Sequence, residues 1–146
     1  MRFSKLHSDW RWPAAALLAE IAAVHISLVP QHLREAPYAG ALFVALSAGA
    51  LVTAAALLIC DDRRVWQSAA LLAGGAIVAY VASRSIGLPS LADDVGDWLN
   101  PLGGAAVLAE TLTLVLSAAV LVGPWSGRDQ ASARARPAAP LASGRA

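Results

Sequence analysis

A chain of 146 residues that is 58% hydrophobic and only 14% charged lies far to the apolar side of water-soluble domains. Its formal net charge of +1, with no basic face interleaved with aromatics, argues against a nucleic-acid partner. The single cysteine, Cys60, excludes an internal disulfide and any CxxC metal or redox motif.

Four apolar runs follow one another along the chain. The first, residues 13–29, comes after Trp10, Arg11 and Trp12 and is closed by Pro30. It carries Glu20 and His25 and precedes three more runs, so it is predicted as a retained helix rather than a cleaved secretory signal. The second run, residues 38–60, holds no charge and at about 23 residues is long enough to cross a hydrocarbon core of about 30 Å. Residues 65–83 and 102–122 form the third and fourth. The expected fold is all-α, a four-helix transmembrane bundle over residues 13–123. A short cytoplasmic segment, residues 1–12, precedes it. The tail, residues 124–146, loses large apolar side chains and gains Pro, Ser, Ala and Arg, the composition of a disordered cytoplasmic extension.

Basic residues orient the spans, because Lys and Arg near span ends are retained on the cytoplasmic side. Arg2, Lys5, Arg11, Arg63, Arg64, Arg128, Arg134, Arg136 and Arg145 fall on one side, and only Arg34 and Arg84 on the other. Both termini are therefore expected in the cytoplasm, in a multi-pass protein of the inner (plasma) membrane. Trp10, Trp12, Trp66, Trp98 and Trp125 all lie at predicted span ends, where interfacial tryptophans belong. Ala41, Ala45, Gly49 and Thr53 in the second run, and Ala70 and Gly74 in the third, are spaced as small-residue packing stripes. A chain this rich in alanine also produces such stripes by chance.

An ionisable side chain in hydrocarbon costs a few kcal/mol, so its default place is the bundle interior. Glu20, His25 and Glu110 are such residues here. Counted along the predicted spans, Glu20 and Glu110 reach similar depth, with His25 above them. Two carboxyls sharing one proton across helices is one reading, and a functional acceptor at Glu110 is the other. Glu20 sits about 140° around the helix from His25, so both reach one site only if that helix is buried on two sides. His25 alone suits a satisfied interior histidine as well as a ligand. An outer cluster of His32, Glu35, Tyr80 and Arg84 completes a polar funnel from the exterior to mid-membrane. His25 and His32 share a helix face only if the helix continues past Pro30, which argues against that continuation. Arg84 has Asp93, Asp94 and Asp97 close in sequence, and a structural ion pair competes with an anion or substrate contact.

Two arrangements resemble a known group. His32-Leu33-Arg34-Glu35-Ala36-Pro37-Tyr38-Ala39-Gly40 reads H-x-x-E-x-P-x-x-G, and Tyr80 to Pro89 reads Y-x-x-S-R-x-x-G-L-P. With Trp98, the Gly103 region and Glu110, they resemble small four-helix membrane proteins of high-GC, actinobacterial-type bacteria, a largely uncharacterised group. The resemblance implies the architecture and places His32, Glu35, Arg84 and Glu110 in one site. It implies no activity.

Three function classes remain. The first is a cation, metal or proton transport or accessory subunit, in which His25, His32 and Glu35 are candidate ligands for zinc or another divalent ion and Glu110, with Glu20, is the intramembrane acceptor. Cu(I) is disfavoured, because Met1 is the only methionine and Cys60 lies at the opposite face. The second is a non-catalytic bundle that partners a larger membrane complex or a further copy of itself. The third, an enzyme using His32 and Glu35, is weakest, since HExxH, GxSxG and comparable signatures are absent. Haem is disfavoured because helices two to four hold no histidine.

Overall fold

The computed structural model of the protein describes residues 9–123. The expectations for residues 1–8 and 124–146, including the disordered tail, Trp125, Arg134 and Arg136, lie outside the described residues. Four long helices fill the rest: α1 (Arg11–Glu35), α2 (Pro37–Ile59), α3 (Arg63–Ser85) and α4 (Pro101–Val122). Each has 22 to 25 residues and is apolar enough to cross a bilayer, and the chain is a small integral membrane protein with four spans.

The connections explain the up-and-down order. Ala36 alone separates α1 from α2. It precedes Pro37, whose ring excludes the helical conformation before it, so Ala36 adopts φ −146°, ψ 87° while its N–H still donates to the His32 carbonyl. Pro37 then opens α2 at the first helical position, where its missing N–H costs nothing. At the opposite end Asp61 turns the chain with φ +40°. Asp62 caps α3 by accepting from the Arg64 N–H at 2.7 Å. Asn100 does the same for α4, accepting from Gly103 N–H at 3.2 Å. The end carrying Ala36 and the 86–100 connection is called the Ala36 end below, and the other the Asp61 end.

One expectation is corrected here. Pro30 does not close α1: it lies inside the helix, which runs on to Glu35. A proline removes one backbone hydrogen bond, and in a span its neighbours make good the loss. Beyond Pro30, Gln31 Nε2 donates to Glu35 Oε1 at 3.1 Å and Arg34 Nε donates to the Pro30 carbonyl at 3.1 Å, knitting the last turn.

The helices form a ring in which α1 packs broadly on α2 and also on α4, while α3 packs on α4 and, along the narrowest seam, on α2. Leu51, Val52, Leu71, Val78, Leu108 and Val115 point outward, whereas His25, Ser47, Thr53, Glu110, Thr113 and Ser117 are buried. A water-soluble bundle distributes these groups the other way. Here lipid takes the apolar surface. The packing stripe expected in α2 is also corrected: Ala41 and Ala45 face outward, and Ser47, Ala50, Thr53, Ala54 and Leu57 form the buried line instead. Gly49 is half-buried, and a Cβ on it would lie 3.3 Å from Leu72.

At Gly40 the backbones of α1 and α2 approach closely. A Cβ there would lie 2.7 Å from Leu33 Cγ and 2.8 Å from the Leu33 backbone nitrogen, and backbone cannot rotate away. Gly40→Ala is expected to cost about 1–3 kcal/mol as an overpacked contact, read as a lower unfolding midpoint in detergent.

Candidate functional site

The bundle interior brings α1, α2 and α4 together around a small set of polar side chains. His25 is buried on α1, and its Nδ1 lies 2.8 Å from the Ile21 carbonyl. A carbonyl only accepts, so Nδ1 carries the hydrogen and Nε2 is left to face the neighbouring helix. Nε2 lies 3.6 Å from Glu110 Oε1, an ion-pair separation between two buried groups. With Nδ1 committed, the contact is complementary when one proton is shared between them, as imidazole with carboxylic acid or as imidazolium with carboxylate. Phe43 of α2 packs against His25, the two rings T-shaped at a centroid distance of 5.1 Å.

Depth explains why this pair forms and not the expected pair of carboxyls. Because α1 extends to Glu35, His25 lies about 15 Å below its end, and Glu110 lies about 14 Å below Pro101. Glu20 is a further turn and a half down and points to the opposite side of α1. It is exposed on the outside of the bundle and, among the described residues, makes no hydrogen bond or ion pair. The interior site therefore holds His25 and Glu110 without Glu20.

His32 lies two turns beyond His25 on the same face, half-buried, with Nδ1 3.0 Å from the Leu28 carbonyl. Its ring meets the same Phe43 at a centroid distance of 4.6 Å, so one phenyl ring contacts both imidazoles. Glu35 is exposed and takes the Gln31 amide rather than joining His32. Among the described residues no three His, Cys, Asp or Glu side chains converge as a metal-holding group.

Arg84 and Tyr80 belong to a separate cap over the Ala36 end. Arg84 Nη1 lies 2.7 Å from Asp94 Oδ1 and donates to the Asp94 carbonyl at 3.1 Å. Its guanidinium carbon also sits 5.1 Å from the Tyr80 ring centroid. Tyr80 Oη donates to the Trp98 carbonyl at 3.2 Å, Tyr38 Oη donates to the Pro89 carbonyl at 2.7 Å, and the Gly96 N–H donates to the Arg84 carbonyl at 2.9 Å. Leu91 packs with Ala36 and Ala39 beneath. Gly87 and Gly96 supply the turns with φ +76° and +83°, conformations that favour glycine. These contacts hold the 86–100 connection against the helix ends.

Phe43, Ser47, Thr113 and Ser117 were not singled out in the sequence. Ser47 Oγ donates across the α1–α2 seam to the Ala22 carbonyl at 3.2 Å, and Thr113 Oγ1 donates back to the Ala109 carbonyl at 2.8 Å. Ser117 Oγ is buried without a hydrogen-bond partner. Glu110, Thr113 and Ser117 recur at three and four residues, the signature of one helix face, so the half of the bundle nearer the Asp61 end is also polar inside.

Comparison with protein-family models, with curated proteins and with solved structures finds no match to this chain. The resemblance drawn from the motifs therefore identifies no family.

Proposed function

We propose that this four-span protein is a proton-handling subunit of a bacterial inner membrane, in which the His25–Glu110 pair holds a proton inside the bundle and His32, behind Phe43, lies on its route from the outer face. The observation that carries this reading is the 3.6 Å approach of Nε2 to Oε1 with both groups buried. Intramembrane pairs of this kind mark ion pathways and proton relays. A proton suits the donor set better than zinc or another divalent ion, because a two-ligand site leaves a divalent ion under-coordinated. The nine basic residues against two support cytoplasmic termini, with the Ala36 end outside. A second reading, a structural subunit of a larger complex, rests on the same pair acting only as a bond between α1 and α4.

Purified protein in liposomes with an entrapped pH-sensitive dye separates them. The wild type is expected to collapse an imposed pH gradient when potassium and valinomycin compensate charge. Glu110→Gln and His25→Ala are expected to fall to the rate of empty liposomes, and Glu35→Gln to match wild type. A wild type no faster than empty liposomes, or unchanged rates in both pair variants, overturns the reading.

A further inference from the structure

Glu20 is the one ionisable side chain that the middle of a span presents outward. It lies about 14 Å along α1 from Arg11 in a helix about 37 Å long, which places it inside the hydrocarbon. It is exposed, and among the described residues it makes no hydrogen bond or ion pair. Lipid tails offer no hydrogen bond, so a carboxyl left there is unfavourable by a few kcal/mol, and such groups find polar company.

The surface around it has a defined form. Ala16, Ala23 and Ser27 are exposed with Glu20 on one face of α1, at intervals of four, three and four residues. The Ser27 hydroxyl is already spent on the Val24 carbonyl at 2.6 Å. Glu20 is thus left as the only unsatisfied polar group on a narrow, small-residue surface across which a second backbone can approach closely.

We propose that this face of α1 is a homodimer interface, in which α1 of a second copy packs in parallel and the two Glu20 carboxyls meet across a two-fold axis along the membrane normal. Two copies inserted with the same orientation carry Glu20 at the same depth by symmetry. A carboxyl is its own complement, since each can donate and accept once a proton is present. An unrelated helix would need a polar group at that depth and face by coincidence. The inference does not depend on proton handling by His25 and Glu110, which lie on the opposite side of α1.

Site-directed cross-linking of the full chain in native membranes tests it. In a Cys60→Ser background, single cysteines at Ala16 or Ala23 are expected to give an oxidised species of twice the chain mass, and one at Ala79 on α3, also exposed, is expected to give none. Adding Glu20→Leu is expected to abolish the α1 cross-link and shift the purified protein to a monomer. Glu20→Gln, which can pair amide to amide, is expected to keep the dimer. Because Glu20 is exposed and has no hydrogen bond or ion pair among the described residues, the leucine variant leaves the four-helix bundle intact, as unchanged helical circular dichroism will show. Absence of the α1 cross-link in the Glu20 protein, its persistence in Glu20→Leu, or an adduct of a different mass that marks another protein on this face would each overturn the proposal.

Discussion

Replacing His25 with alanine is expected to lower the stability of the bundle by about 2–5 kcal/mol, the range for truncating a large buried side chain. Part of that loss is the cavity, and part is the partner left behind. Glu110 is 1% exposed and has no other ion-pair partner among the described residues. A double-mutant cycle with Glu110→Ala isolates the pairwise share. If the pair were a fixed ion pair that must stay charged, removing one member would strand a buried charge at about 3–5 kcal/mol. A pair sharing one proton can discharge, and polar contacts between membrane helices are worth about 0.6–2 kcal/mol. The expected coupling is therefore about 1–2 kcal/mol. Unfolding by sodium dodecyl sulfate in mixed micelles provides the measurement. Additive losses would show that the 3.6 Å approach contributes no mutual energy.

The larger effect is expected at Trp66. It is the largest fully buried side chain and packs with Leu18, Leu57 and Ala69 at the Asp61 end, where its Nε1–H donates to Asp61 Oδ1 at 2.8 Å. Trp66→Ala is expected to cost about 3–5 kcal/mol. Trp66→Phe retains most of the volume but removes the donor that Asp61 Oδ1 accepts from, for about 1–3 kcal/mol. A Trp66→Phe variant as stable as the wild type would sink the assignment of this hydrogen bond.

Trp66 also shows where sequence reasoning stops. Position at span ends places all the tryptophans at the membrane interface, and Trp10, Trp12 and Trp98 are exposed there. Trp66 sits at the same depth but turns inward, because Asp61, five residues earlier, waits as an acceptor. Position along a helix is legible from hydropathy, whereas rotation about its axis depends on neighbours. The four spans were legible for that reason, although α1 runs on six residues past its expected end to Glu35. The Pro30 boundary failed because a proline forbids one hydrogen bond and not a helix, and the error moved His25 up relative to Glu110. The 140° between Glu20 and His25 was visible in the sequence. On a helix buried along one side that angle turns one of the two away from the interior, and Glu20 is the one that faces out.

The single residue between α1 and α2 bears on how the chain is made. With only Ala36 to separate them, the two helices cannot be threaded into the bilayer as independent units. They form one tight helical hairpin. His25 lies on its first arm with Nδ1 committed to the Ile21 carbonyl, and the group opposite Nε2, Glu110, comes from α4, two helices further along the chain. A chain cut before α4 would keep the hairpin and leave that imidazole unmatched.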